Sequence, residues 1–206
     1  MDHSDDGALW DRKYEEGLPS LTKPDPFFLS AYESVVHPSF PNAGIALDLA
    51  GGIGRHALWL AKRNWRVTVV DVSSVAIGKL SLTADQQNVK LNLITTATSE
   101  YECGLLQFDL IVLFYHLDRS LFPKIVAALN PGGFVLCKMA IGWHSGIEEK
   151  SNNSPLAKNE LTPLLSGLHV IDHHERPVRD RGVVEFLGRK PAACEKPARL
   201  SVGPQR

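Results

Sequence analysis

Two acids and three glycines, set close together, hold much of the chemistry that this chain offers. In the stretch ALDLAGGIGRHALWLAKRNWRVTVVDVSS, Ala46 to Ser74, Asp48 precedes Gly51, Gly52 and Gly54, and Asp71 closes a run of Val and Thr. A strand that enters a glycine turn and then a helix brings backbone N–H groups to a helix N-terminus, where an anion is favoured. Gly52, Gly54 and Ala57 also satisfy the dinucleotide pattern G-x-G-x-x-G/A, with Asp71 ending the next strand. An NAD-dependent oxidoreductase is one reading of that pattern. Asp48 argues against it, because its charge is aimed at the place where a pyrophosphate would sit and the two would repel.

A cationic ligand reverses that sign. S-adenosylmethionine carries an ammonium and a sulfonium beside a carboxylate, and its ribose diol suits a carboxylate acceptor such as Asp71. Two structural roles stay open as alternatives: Asp48 bonding the turn amides, and Asp71 capping the following helix through DVSS.

The elements that must position these residues can be read from periodicity. Apolar, β-branched runs bounded by Gly, Pro, Asn or Asp mark strands at 44–50, 66–72, 89–97, 108–116 and 133–141, then at 168–178 and 183–190. Helical segments lie between the first five: GRHALWLAKRN, with Leu58, Ala61 and Trp65 on one face, then SVAIGKLSLTADQQ and RSLFPKIVAALN. Alternation of this kind predicts a parallel sheet covered on both faces. RDRG is too short for a crossover, so the last two strands should form an antiparallel hairpin. The expected fold is α/β: a Rossmann-like, doubly wound seven-stranded sheet, five strands parallel and then the hairpin.

Residues 44–190 form the expected core. Residues 1–43 read as a flap of the same domain, with DPFFLSAYESVV a helix opened by Asp25 and Pro26. A short helix is expected from about Lys158. Residues 191–206 lack periodicity and are rich in Pro, which predicts disorder.

At 206 residues and a net charge of −1, the chain fits one domain and has no global field for nucleic acid or an anionic membrane. Cys103, Cys137 and Cys194 are an odd number without C-x-x-C spacing, against a disulfide framework or a zinc site. The acidic N-terminus lacks an apolar leader and no long apolar run follows, so a cytoplasmic location is expected.

On these residues the chain resembles the class I S-adenosylmethionine-dependent methyltransferases. The carriers are ALDLAGGIGRHALWLA, VVDVS, FDLIVLFYHL, ALNPGGFVL and the terminal hairpin. Within that class, the layout WDRKY, PDPFF, LDLAGGIGRHALWLA and LFPKIVAALNPGG is similar to the small bacterial enzymes related to TehB. The resemblance implies that Ala50, Gly51, Gly52 and Gly54 approach the methionine moiety, with Asp48 nearby. It implies that Asp71 binds the ribose hydroxyls and that Val72 lies against adenine. Thr98 stands where many members have an aspartate facing the adenine amino group, which leaves that contact to Thr98 or Ser99. Ala50 stands where the family has glycine or alanine.

Methyl transfer is an in-line displacement that alignment and exclusion of water can largely supply. The resemblance places FYHLDR and GWHSG beside the acceptor, making His116, then His144 and Tyr115, candidate bases. For each histidine a hydrogen-bonded wall residue is the alternative. Trp10 and Tyr14 are four apart and share a helical face, so they can cover the cofactor. His173 and His174 alternate across a strand and cannot share a metal. The expected activity is methyl transfer from S-adenosylmethionine to a small molecule, a soft thiol, selenium or tellurium nucleophile, with oxygen or nitrogen acceptors as the alternative. A non-catalytic nucleoside-binding protein is the remaining reading.

Overall fold

The computed structural model describes residues 3–17, 21–142, 155–178 and 181–192. Its strands are β1 (Ile45–Leu49), β2 (Arg66–Asp71), β3 (Leu91–Thr95), β4 (Phe108–Phe114), β5 (Leu129–Ile141), β6 (His169–Val178) and β7 (Arg181–Arg189). They make one sheet in the order β3-β2-β1-β4-β5-β7-β6. The first five are parallel, and β7 runs antiparallel to both β5 and β6. The chain winds outward from β1 to β3, then returns to lay β4 on the other side of β1. That reversal opens a crevice at the carboxyl ends of β1 and β4, where open α/β sheets bind ligands.

The helices are α1 (His3–Glu15), α2 (Pro26–Ala31), α3 (His37–Ser39), α4 (Arg55–Ala61), α5 (Ser74–Gln86), α6 (Leu121–Ala128) and α7 (Leu161–Leu164). Asp25 caps α2 by accepting from the Phe27 amide at 2.9 Å, with Pro26 in the first turn as expected. The helix then widens into a π turn at Tyr32–Val36 before α3. Phe28, Tyr32 and Val36 are buried, so residues 26–39 are built into the core.

Each face of the sheet has its own apolar cluster. Leu47, Leu49, Ile111, Leu113 and Val135 meet Phe122 and Ile125 of α6. Ala46, Val67, Val69, Leu110 and Val112 meet Phe28, Tyr32, Leu60 and Leu80 on the other side. The single polar residue of β1, Asp48, is buried with the second set.

Three local expectations are corrected. α4 buries His56, Ala57 and Leu60, while Leu58 and Ala61 are only partly covered. The helix is entered from Gly54, its left-handed cap at φ +76°, and Trp65, the third residue of the expected face, is buried beyond its end. β5 starts at Leu129, because ALNPGG pairs on to β4 across an irregularity between Phe108 and Leu110. α7 starts at Leu161 and has four residues. Cys103 and Cys137 are buried free thiols, whereas Cys194 lies outside the described residues. Among the described residues no helix is long and apolar enough to cross a membrane.

Candidate functional site

Two adjoining cavities open at the carboxyl ends of β1, β2 and β4, sharing Trp10, Tyr14, Ala50, Phe114 and Tyr115 as walls. The first, about 230 Å³, is completed mainly by Asp71, Val72, Ala97, Thr98, Ser99, His116 and Asp118. The second, about 250 Å³, has Asp48, Gly51, Gly52, Arg55 and His56. Of the residues singled out from sequence, Gly54 lines neither. Its role is internal: φ is +76°, and a Cβ there would strike the Leu80 side chain of α5. His144 lies outside the described residues.

Asp71 is held from two directions. Its Oδ2 accepts the Gly52 amide at 2.7 Å and its Oδ1 accepts the Ser73 amide at 2.9 Å. Ser73 in turn caps α5 through the Ala76 amide at 3.0 Å. The structural role suspected for Asp71 is therefore present, and its carboxylate also faces the first cavity. Burial raises its pKa, opposed by the Ser73 and Gly52 amides.

Asp48 has no such support at one oxygen. Its Oδ2 is buried and unpartnered, packed beneath Gly51, where a Cβ would come within 3.1 Å of the carboxyl carbon. Burial pushes its pKa up to about 7, opposed by Arg55 and the Ala57 amide and reinforced by Asp71. A buried carboxyl oxygen without a partner is costly and calls for an explanation.

Ala50 and Tyr115 both sit in the left-handed region, at φ +51° and +60°. A non-glycine residue there carries strain, which collects at ligand sites. Ala50 in the first position of the turn is thus a strained substitute for glycine rather than a neutral one.

α1 lies over this crevice. Asp11 fastens it to α5, accepting from the Ser73 hydroxyl at 2.6 Å, the Ser74 hydroxyl at 2.9 Å and the Val75 amide at 3.1 Å. Trp10 and Tyr14 pair with ring centroids 6.1 Å apart. The Tyr14 hydroxyl sits against Gly52, in the space a Cβ would take, and φ at Gly52 is +56°. Burial, with the Asp71 charge second, pushes the Tyr14 phenol up to about 12.

His116 stands on the first-cavity side, its Nε2 2.8 Å from the Thr98 hydroxyl. Burial lowers its pKa against the opposing pull of Asp118, Asp71 and Asp6. Tyr115 is half exposed and borders both cavities. His173 packs toward Phe186, while His174 pairs with Asp172 at 2.7 Å. Sequence reasoning passed over His56, gave Arg55 no role of its own, and included Phe114 and Asp118 only within FYHLDR. Arg55 and His56 directly follow the glycine turn, which was the signal available.

The family model described as "Methyltransferase domain" matches residues 46–133. No curated protein matches the sequence. Three solved structures illustrate the likeness of fold. N-methyltransferase NodS from Bradyrhizobium japonicum WM9, in complex with S-adenosylhomocysteine, is 19% identical with a TM-score of 0.64, covering 88% of this chain and 98% of that one. The 1,6-didemethyltoxoflavin-N1-methyltransferase of Burkholderia thailandensis, with 1,6-didemethyltoxoflavin and S-adenosylhomocysteine bound, is 16% identical at 0.65, covering 93% and 91%. TehB from Haemophilus influenzae is 18% identical at 0.68, covering 87% and 66%. TehB is thus one of several comparably distant likenesses. The chain has the class I methyltransferase fold, and its residues 46–133 match the methyltransferase domain model.

Proposed function

We propose that this chain, built on the class I methyltransferase fold, binds S-adenosylmethionine across the two cavities and methylates a small molecule, a soft sulfur, selenium or tellurium nucleophile. The observation that carries the reading is the pair of buried acids flanking the glycine turn. Asp71 faces one cavity as an acceptor suited to a ribose diol, and Asp48 lines the other, its Oδ2 buried without a partner beneath Gly51. A pyrophosphate in place of the ammonium would meet that acid with like charge.

In this reading the nucleoside occupies the first cavity, against Val72, with Thr98 and Ser99 toward the base. The amino-acid end follows Ala50, Gly51 and Gly52, and Asp48 receives its ammonium. When bound, the cofactor would supply a sulfonium methyl group whose carbon an acceptor lone pair attacks in line, the S–CH3 electron pair leaving with sulfur as S-adenosylhomocysteine. The protein aligns the partners and, through Trp10 and Tyr14 on α1, keeps water out. Tyr115 and Phe114 wall the path between the cavities. His116, tied to Thr98 on the nucleoside side, is not needed as a base for an already anionic or polarizable nucleophile. Nitrogen acceptors are the second reading, favoured by the N-methyltransferases among the structural likenesses.

Calorimetric titration with S-adenosylhomocysteine and with NAD tests the cofactor. Micromolar binding of the first and none of the second is expected; the reverse would refute the reading. Turnover against matched thiol, amine and hydroxyl acceptors then tests the substrate class, with the thiol favoured.

A further inference from the structure

Behind the second cavity runs a buried chain of polar groups that the proposed reaction does not use. Lys138 on β5 binds Asp25 through both oxygens, at 2.9 and 3.0 Å, and Glu185 on β7 at 2.8 Å. Asp25 and Lys138 are each about 6% exposed. Glu185 is shared with Arg176 at 3.2 Å. Burial pulls the lysine pKa down, but the bonds to Glu185 and Asp25 outweigh it and hold Lys138 charged. The pair fixes Asp25 as the cap of α2, so that the Asp25 backbone amide points at His56 Nε2, 3.3 Å away.

An amide N–H only donates. Nε2 of His56 must therefore carry a lone pair, and the neutral ring must hold its hydrogen on Nδ1. Phe28 and Phe114 clamp the imidazole, with centroids 4.6 and 4.5 Å away. The charged groups facing it, Arg55 and Lys138, add to burial in opposing protonation, and its pKa falls to about 3. His56 lines the second cavity, and with Nε2 taken by the Asp25 amide its Nδ1–H is the polar group the ring has left to offer a ligand. Beside it Arg55 lies 5.8 Å from the Phe114 ring and 6.0 Å from the Tyr115 ring, with no carboxylate in ion-pair range among the described residues.

We propose that His56 is a tautomer-locked N–H donor which, with Arg55, selects a methyl acceptor bearing a carboxylate, and that Asp25 and Lys138 are its positioning residues. The inference rests on the methyltransferase reading, which assigns the ammonium to Asp48 and leaves the aromatic side of the second cavity for the acceptor. Arg55 supplies the charge, and His56 supplies a hydrogen bond whose direction does not change between pH 5 and 9. A neutral donor also leaves the adjoining sulfonium without an additional positive charge.

The test is nitrogen-15 NMR of the histidine rings in the full chain saturated with S-adenosylhomocysteine, His56 being assigned through its contacts with the Phe28 and Phe114 rings. The Nδ1–H tautomer throughout pH 5.5–8.5 is expected; an Nε2–H tautomer, or protonation near pH 6.5, overturns the lock. Benzoate, used as the probe anion, should shift the His56 Nδ1–H signal saturably and at least ten-fold more tightly than benzyl alcohol. Equal binding of the two overturns the carboxylate assignment. Arg55→Met should weaken benzoate at least ten-fold and leave S-adenosylhomocysteine affinity within two-fold. A ten-fold loss for S-adenosylhomocysteine would put the cofactor's own carboxylate there and overturn the acceptor assignment. Lys138→Met should let His56 titrate; if that variant does not fold, Asp25→Asn gives the same readout. Failure of wild type to bind S-adenosylhomocysteine refutes the underlying reading separately, since the tautomer can still be measured without ligand.

Discussion

The Gly52 amide donates to Asp71 Oδ2 across 2.7 Å, tying the glycine turn after β1 to the end of β2. One carboxylate therefore shapes the turn and lines the cavity beside it. Removing it should do two separable things. Asp71→Ala leaves the Gly52 and Ser73 amides unpaired, at about 1–3 kcal/mol for each buried group. It also removes the proposed acceptor for a ribose diol, which should weaken S-adenosylhomocysteine at least ten-fold, or about 1.4 kcal/mol. Chemical denaturation measures the first and calorimetry on the folded variant the second. Lost stability with unchanged affinity would leave Asp71 as a structural cap alone.

Asp48 sets a pH signature. Its folded pKa lies above its unfolded value, so the folded state binds more protons between roughly pH 4 and 7. Stability is complete below that window and falls as pH rises through about 7. The loss is on the order of 4 kcal/mol if the whole shift is expressed. Asp48→Asn should abolish this slope and make the free protein the more stable above pH 7. Binding of an ammonium-bearing ligand should also expel the Asp48 proton. At pH 6, titrations in buffers of different ionisation enthalpy should show close to one proton released, and at pH 8.5 almost none. No release at pH 6 would remove Asp48 from the ligand contact.

Ala50 gives a simpler test, because its left-handed φ of +51° burdens an L-residue by about 1–2 kcal/mol. Glycine relieves that strain but adds chain entropy to the unfolded state, by about 0.5–1 kcal/mol. Ala50→Gly should then be neutral to about 1 kcal/mol stabilising, with cofactor affinity kept. A loss of more than 1 kcal/mol in chemical denaturation would show that the methyl group packs usefully against the cavity.

Asp11 decides whether α1 acts as a cover. It makes three bonds to the start of α5, so Asp11→Ala should loosen α1 and raise the S-adenosylhomocysteine dissociation constant several-fold, while the sheet keeps its cooperative melt. Trp10→Ala should weaken binding by a comparable amount without freeing the helix. Hydrogen exchange over residues 6–15 distinguishes the two. Unchanged affinity in both variants would make α1 packing alone.

The parallel core and the terminal hairpin were legible because the strands are largely apolar, β-branched runs bounded by turn formers, and because RDRG cannot carry a crossover. Asp48 and Asp71 stood out for a related reason: a charge inside or at the end of such a run needs a cause. What stayed hidden depends on phase and on long-range partners. His56 reads as one more helical residue in the sequence, and its tautomer is dictated by Asp25, thirty-one positions earlier. The π turn that follows α2 and the early start of β5, where Leu129 pairs with Phe108, likewise depend on residues distant in sequence. Gly54 was legible as a glycine, but Leu80, not a ligand, demands it. The side of the crevice on which His116 falls is set by the loop after β4, where local pattern carries little signal.

That placement yields the last prediction. His116 bonds Thr98 and shares the first cavity with Asp71 and Val72, on the nucleoside side of the proposed site. As a wall residue there it should act on binding: His116→Ala should raise the dissociation constant for S-adenosylhomocysteine several-fold. At saturating cofactor, kcat on a thiol acceptor should fall by less than about ten-fold, because no proton leaves a thiolate as the new bond forms. A general base would give the opposite split, a loss in kcat of about 10²–10⁴ with affinity intact. Burial lowers the His116 pKa, so the acidic limb of a profile that depends on it as a base would lie below the ordinary histidine range. The measurement is kcat and cofactor affinity for wild type and His116→Ala, on matched thiol and hydroxyl acceptors, from about pH 5.5 to 9. A large kcat loss on the thiol, following such an ionisation, would restore His116 as the base and sink the soft-nucleophile reading.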